Sequence, residues 1–333
     1  MTIESEPISD TPLWIGESDV VASVSLAQAI DAVRQTYLRV ASQEVVAMPK
    51  TVVAWRGGTL HALGAVDTAS QLAVSKTWAH TPGGATPLLV AWNTATGKLI
   101  AVIEAFALGQ LRTGAICGVA TAALAREQCQ IVGVIGSGKQ AEGQIAAVAA
   151  VRKVEQIKIF SPNAAHRTSF AARIADRSGI PAVAVDSVAE AVAQASVVVT
   201  ATRAREPFVS RQMLVDGVHV NAIGAITPER AELEPAVVTA ARRLVADNVA
   251  AARELAPREF SPALATHVLS LAYVLAHSVG RPNAEALTVF KAVGCGVSDL
   301  AVAELAIAQA RASGRGRPFS LAVRSDPRMW SQR

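Results

Sequence analysis

The feature that most constrains this chain is a regular alternation, through its middle, of short and almost wholly apolar runs with helical stretches. The runs are 131–135, 156–160, 182–185, 196–200, 218–222 and 243–246, and helix-period segments such as 139–151 and 164–177 lie between most of them. A strand without a polar face belongs in a parallel sheet covered on both sides, and parallel neighbours need a crossover, usually a helix. Six such strands predict an α/β fold with a doubly wound sheet.

The first run leads into Gly136-Ser137-Gly138-Lys139-Gln140-Ala141 and then directly into a helix. This is the G-x-G-x-x-A form. The first glycine makes the turn, the second lets backbone approach a pyrophosphate, and the small third residue lets helix and strand pack closely. The helix N-terminus adds free N–H groups and a positive dipole end. A strand before the motif, a helix after it and five further strands make the segment a Rossmann dinucleotide site rather than an ordinary tight turn. The end of the second strand bears on the choice of dinucleotide. Ser161, Asn163 and Arg167 follow it, with no Asp or Glu placed to bind a ribose 2′-OH. A hydroxyl, an amide and an arginine favour NADP over NAD, unless Arg167 is simply a solvated helix residue.

The segment before residue 124 has a different texture. Leu26, Ile30, Val33, Tyr37 and Leu38 follow helical spacing, and the β-like runs 45–55, 59–66, 72–78, 87–92 and 98–105 come next. These predict an antiparallel sheet with a helix across it. The expected organisation is a substrate and dimerisation domain of 1–124 with 285–333, around a dinucleotide domain of 125–284. Residues 288–312 read as helix broken at Gly294-Cys295-Gly296, and the tail 318–333 reads as loose.

Composition narrows the partners. Of 333 residues, 51% are hydrophobic, 4% aromatic and 17% charged, with a formal net charge of +4. An aliphatic core poor in rings suits helix-on-sheet packing. The 31 basic residues form no run interleaved with aromatics, so nucleic acid is not an expected partner. The apolar stretches fall short of the roughly 18–20 residues that span a bilayer, so no membrane is expected. The acidic N-terminal segment 1–7 is unlike a secretory leader, and Cys117, Cys129 and Cys295 lack metal-ligand spacing. A cytoplasmic setting with free thiols, and no metal site, is the expectation.

Three cations stand out in the first half. Strand alternation places Lys76 on the same face as Leu72, Val74 and Trp78, where an ammonium must reach water or meet an anion. Lys50, after Met48-Pro49, is similar. Arg112 precedes Thr113, which is expected to cap a helix over 114–124 and aim its N-terminus at a negative group. His61 and His80 lie on neighbouring runs as lone histidines, more often structural than catalytic. Asp299, just after the glycine break, is expected to cap or orient the last helix.

Together, Lys76, Arg112-Thr113-Gly114-Ala115, the Gly136–Ala141 motif, Thr200-Ala201-Thr202, Asn221-Ala222-Ile223-Gly224-Ala225, Glu232-Leu233 and Phe290-Lys291-Ala292-Val293-Gly294 resemble the ornithine cyclodeaminase and mu-crystallin family in order and spacing. The resemblance runs from about residue 15 to residue 312. It implies a homodimer, a Rossmann domain and an N-terminal substrate region. It also implies that Lys50, Lys76 and Arg112 hold a substrate carboxylate, and that hydride passes between nicotinamide and the substrate α-carbon. The cofactor set is expected to be Arg112, Thr113, Gly136, Ser137, Gly138, Lys139, Gln140, Ser161, Asn163, Arg167, Thr200, Thr202, Ile223 and Gly224.

One departure separates the family's chemistries. Its ornithine cyclodeaminases carry an acid two positions after the glycine of the Asn-Ala-x-Gly segment, and this chain has Ile226 there. An isoleucine neither accepts a proton nor pairs with an ammonium. The expected activity is therefore NAD(P)H-dependent reduction of an α-imino acid to an L-amino acid, with iminosuccinate, cyclic ketimines and alanine-type substrates as examples. Lys76 is the first candidate proton donor and a water the second. Two alternatives remain: a cyclodeaminase-type lyase that recycles NAD within one turnover, and an NADPH-dependent small-molecule binding protein of mu-crystallin type.

Overall fold

The computed structural model describes residues 11–322 together with 327 and 329; the N-terminal segment 1–7 and most of the expected loose tail lie outside the described residues. The strands of the N-terminal half are β1 (Leu13–Ile15), β2 (Val45–Trp55), β3 (Gly58–Asp67), β4 (Leu72–Thr81), β5 (Gly84–Ala85), β6 (Leu88–Asn93) and β7 (Leu99–Glu104). A second set comprises β8 (Ile131–Ile135), β9 (Gln156–Phe160), β10 (Ala182–Ala184), β11 (Val197–Thr200), β12 (His219–Ala222), β13 (Arg243–Ala246), β14 (Val268–Ser270) and β15 (Thr288–Lys291). A last strand, β16 (Arg317–Pro318), pairs with β1, and the Phe319 N–H donates to Pro12 O, so the start of the tail is tied down rather than loose.

Among the described residues the first sheet runs β16-β1-β7-β6-β4-β3-β2, with β5 paired to β4. It is antiparallel apart from the β1·β7 pair. The second sheet runs β10-β9-β8-β11-β12-β15-β13-β14 and all its pairs are parallel. This is a doubly wound α/β sheet beside an α+β domain. The four residues of each of β11, β12 and β15 are all buried, and the polar His219 and Asn221 of β12 find partners inside, in Thr288 and Thr121.

Two expectations are corrected by the topology. Residues 288–291, read as helix, form β15 between β12 and β13. A segment of four residues carries no period that tells a buried strand from a buried helix. The chain therefore completes the dinucleotide sheet before it turns back, so the return to the first domain falls after Lys291 rather than at 285. The helix Gly296–Ala312 then packs across the first sheet.

The other helices that frame the site are α1 (Glu17–Ser23), α2 (Leu26–Ala41), α3 (Phe106–Leu124), α4 (Lys139–Val151) and α5 (Ala164–Ser178). Ser25 caps α2 in a reciprocal box with Gln28. Helix α3 is the strut between the domains. It packs on α2 and α4, and its C-terminal end reaches the second sheet, where Thr121 Oγ1 accepts from Asn221 Nδ2 at 2.9 Å and Leu124 O accepts from Thr288 Oγ1 at 3.1 Å.

Candidate active site

The expected helix over 114–124 begins eight residues earlier, and this changes the setting of Arg112 and Thr113. Neither is at a helix end. Thr113 Oγ1 donates to Gly109 O at 2.7 Å inside α3, so it caps nothing. The cap comes instead from Glu17 of α1, whose carboxylate accepts the Phe106 and Ala107 N–H groups at 2.6 and 2.8 Å. Residue 105 is an alanine, so no capping side chain stands at the local N-terminus.

Arg112 thereby projects from the second turn of α3 toward β4. Lys76, on β4, is 3% exposed, and its ammonium donates to Asp299 Oδ1. Arg112 Nε lies 3.5 Å from the same oxygen. Asp299 is fully buried in the first turn of the helix Gly296–Ala312. The helix is entered through Cys295 with no side-chain cap, so of the two roles expected of Asp299, capping or orienting the last helix, it does not fill the first. Its charge is spent on the two cations. Arg112 Nε and Asp299 Oδ2 are both buried without a hydrogen-bond partner, leaving donor and acceptor capacity in the site.

Lys50 completes the cationic group at the irregularity between Met48 and Thr51 of β2. Burial lowers its pKa, the neighbouring Arg112 charge lowers it further, and Asp247 and Asp299 oppose them. Lys76 is pushed down to about 8, first by burial and then by Arg112 and Lys50, with Asp299 holding it up. An ammonium so placed still carries most of its charge at neutral pH and gives up a proton more easily than an exposed lysine.

Asp247, just after β13, is a site residue that sequence reasoning missed. Its carboxylate accepts the Val293, Gly294 and Asn248 N–H groups at 3.1, 2.8 and 2.9 Å, and burial raises its pKa. It thus fixes the turn after β15. Gly294 there has φ +79°, and a Cβ at that position would come within 2.9 Å of an Arg112 guanidinium nitrogen. A signal was present in the chain: an acid at the end of an otherwise apolar strand.

Lys76, Trp78, Pro87, Phe106 and Arg112 line a cleft of about 250 Å³ together with Lys139 and Gln140. The last two open α4, so the cationic group and the glycine-turn helix share one cavity. Lys139 Nζ sits 4.7 Å from the Phe106 ring centroid. His61 stacks on Trp78 at 4.6 Å, and its Nε2 meets Thr59 Oγ1 at 2.7 Å, so it serves as wall.

The remaining predicted residues gather along the carboxyl ends of the second sheet, the edge at which doubly wound folds bind ligands. Gly136 has φ +126°, donates its N–H to Phe160 O at 2.8 Å, and has no room for a side chain, since a Cβ would fall 2.6 Å from Ala201 O. Gly138 is the N-cap of α4, and a Cβ there would meet nothing within 4 Å. Open space in front of uncapped helical N–H groups fits a dinucleotide pyrophosphate. Ser137 Oγ donates to Ser161 Oγ at 3.0 Å, tying the glycine turn to the end of β9. Asn163 caps α5 by accepting from His166 N at 2.9 Å. Arg167 donates to Ser161 O and pairs with Asp186, so much of its donor capacity is used within the protein. Thr200 ends β11, Thr202 follows it, and Ile223 and Gly224 follow β12.

This architecture defines a two-domain dinucleotide-binding protein with a buried cationic cleft at the domain junction. The chain belongs to the ornithine cyclodeaminase/mu-crystallin family, whose family model matches residues 14–314. It is 35% identical over 228 residues, 66% of this chain and 70% of the relative, to a Δ1-pyrroline-2-carboxylate reductase of Bacillus thuringiensis. A Thermococcus litoralis Δ1-pyrroline-2-carboxylate reductase, solved with NADH and L-proline, superposes with a TM-score of 0.86 at 27% identity, covering 92% of this chain and all of that one. An archaeal alanine dehydrogenase dimer with bound NAD gives a TM-score of 0.85 at 26% identity, covering 93% of this chain and 99% of the other.

Proposed function

We propose that this protein is an NAD(P)H-dependent reductase of α-imino carboxylates, with a cyclic imine such as Δ1-pyrroline-2-carboxylate as its leading substrate. The observation that carries this reading is the position of Lys76 and Arg112, held on one buried carboxylate in a cleft that also contains the first residues of α4. Two cations in a partly desolvated pocket offset the cost of burying a substrate carboxylate. The apolar walls supplied by Trp78, Pro87 and Phe106 suit a small ring.

The cofactor, held by Gly136, Ser137, Gly138, Ser161 and the loops containing Thr202 and Gly224, supplies the hydride for the C=N carbon. The chain supplies orientation and a proton. Lys76 is the group best placed to protonate the imine nitrogen or to hold it protonated. Asp299 is a positioning residue that aims Lys76 and supports its charge. Ile226 stands where the family's cyclodeaminases carry an acid, which favours imine reduction over release of ammonia from ornithine. The engagement of Arg167 by Asp186 weakens the case for a dedicated 2′-phosphate site, so NADH joins NADPH as an expected donor.

A homodimer is part of this reading. The free edge of the first sheet, β2 with its neighbour β3, exposes Val46, Val52, Val53, Trp55 and Leu60. An apolar edge this long invites pairing and is expected to be covered by a second copy, as the dimeric alanine dehydrogenase supports. Among the described residues no helix is long and apolar enough to cross a membrane.

The test is loss of absorbance at 340 nm with NADH and NADPH against Δ1-pyrroline-2-carboxylate, Δ1-piperideine-2-carboxylate, and pyruvate with ammonia or methylamine. Stoichiometric oxidation with one of these imines is expected. Ammonia released from ornithine with no net cofactor change, and no imine reduced, would overturn the proposal in favour of a lyase.

A further inference from the structure

The motif Glu232-Leu233 is used by none of the chemistry above, yet Glu232 is fully buried and its carboxylate is the most heavily bonded in the site region. Oε1 accepts the Thr202 N–H at 2.7 Å and Thr202 Oγ1 at 2.8 Å. Oε2 accepts Thr200 Oγ1 at 2.8 Å, the Gly224 N–H at 2.8 Å and the Ala225 N–H at 3.2 Å. Five donors fill the roughly four lone-pair directions of a carboxylate, so this group has no capacity left for substrate.

The five donors come from the end of β11 with the loop that leaves it and from the loop that leaves β12. Both loops lie at the carboxyl edge of the sheet, beyond the glycine turn that receives the pyrophosphate. They approach so closely that a Cβ on Gly224 would collide with the Thr202 backbone and with Glu232 itself. Glu232 is in turn fixed from behind. Its N–H and that of Leu233 donate to Glu259 Oε1 at 2.5 and 2.9 Å, and Glu259 Oε2 accepts from Lys291 Nζ at 2.6 Å. Lys291 and Glu259 are fully buried, and Lys291 ends β15, three residues before Gly294 and its contact with Arg112. Among the described residues no hydrogen bond joins the 136–138 turn to the Glu232 carboxylate, and the nearest link between the two is the Ala201 N–H, which donates to Ile135 O at 2.9 Å.

We infer that Glu232 is the positioning residue for the nicotinamide half of the cofactor: its carboxylate clamps the β11 and β12 loops into the one arrangement that presents the nicotinamide ring to the cleft. The inference rests on the function proposed above and adds a specific division of labour. The turn at Gly136–Gly138 binds the pyrophosphate and adenosine side, and the Glu232 clamp orders the reactive end. A charged acceptor suits this task because bonds to a carboxylate are shorter and stronger than those to an amide, and the buried Lys291 offsets the charge of Glu259 behind it.

The experiment compares wild type with Glu232→Gln and with the milder Thr202→Val, titrating each with NADH and with ADP-ribose, which lacks the nicotinamide. In Glu232→Gln the amide nitrogen faces donors, so the loops are expected to separate. Affinity for NADH should fall by about tenfold, the fluorescence enhancement of the bound reduced nicotinamide should be lost, and kcat at saturating NADH should drop by about ten- to a hundredfold. ADP-ribose affinity should stay within about twofold, and Thr202→Val should move the same quantities less far. Equal losses of NADH and ADP-ribose affinity in both variants would make Glu232 a fold-holding residue only and overturn the inference, as would unchanged NADH fluorescence and kcat. A wild-type protein that binds neither NADH nor NADPH would instead overturn the proposed function.

Discussion

Replacing Asp299 with asparagine tests how the site keeps Lys76 charged. Burial is the largest influence on that ammonium and pushes its pKa down to about 8; Arg112 and Lys50 push the same way, and Asp299 opposes them through its charge and its hydrogen bond. Asparagine keeps the shape and removes the charge. An opposite charge at this range is worth about 1–3 pKa units, or roughly 1.4–4 kcal/mol at about 1.4 kcal/mol per unit. The Lys76 pKa should therefore drop to about 5–7. If the protonated lysine anchors the carboxylate and feeds the imine nitrogen, kcat/KM falls as pH rises through this pKa, near 8 in the wild type. The variant should show the same fall displaced downward. With a shift of about two units, the protonated fraction at pH 7 goes from about nine-tenths to about one-tenth, a tenfold loss. The assay is initial rate at 340 nm from pH 5 to 10 under saturating NADH, with one imine used for both proteins so that its own titration is shared. Lys76→Met should abolish the Lys76-dependent limb altogether. The reasoning fails if the alkaline limb of Asp299→Asn stays near pH 8, whatever happens to the size of kcat/KM, because Asp299 would then not support the charge on Lys76.

Two further outcomes follow from the same geometry. Gly138→Asp should fold normally, since a side chain there meets open space and aspartate is a good N-cap, yet it should lose NADH binding because a carboxylate would occupy the pyrophosphate position; thermal unfolding beside a binding titration checks both halves, and retained affinity would move the pyrophosphate elsewhere. Val53→Asp on the exposed edge strand should convert a dimer to monomers with little change in fold, read by light scattering after size exclusion, and an unaltered dimer would place the interface on another face.

Much of this protein was legible because the physics behind it is local. Doubly covered strands are largely apolar on both faces, so β8 and β11 stand out by composition alone. The glycine turn is a matter of backbone space at adjacent residues. The oddity of Lys76 needs only the two-residue period of a strand to be seen. From these came the two-domain α/β class, the dinucleotide site and the cationic character of the cleft.

What stayed hidden depends on residues far apart in the chain. Helix α3 starts at Phe106 because Glu17, 89 positions away from it, satisfies its first N–H groups, and no residue near 106 announces that. Strand β15 slots between β12 and β13 because parallel partners are chosen by tertiary packing, while a four-residue segment is too short to show a strand or a helix period. Asp299 stands in the first turn of a helix, where an acid favourably meets the helix dipole, and only the packing of that helix across the first sheet delivers it to Lys76, 223 residues away. The sequence by itself determined which side chains are too costly to bury alone. The tertiary structure decided which opposite charges, backbone groups and open space each of them would meet, because that pairing is settled by how helices and sheets close on one another and not by neighbours along the chain.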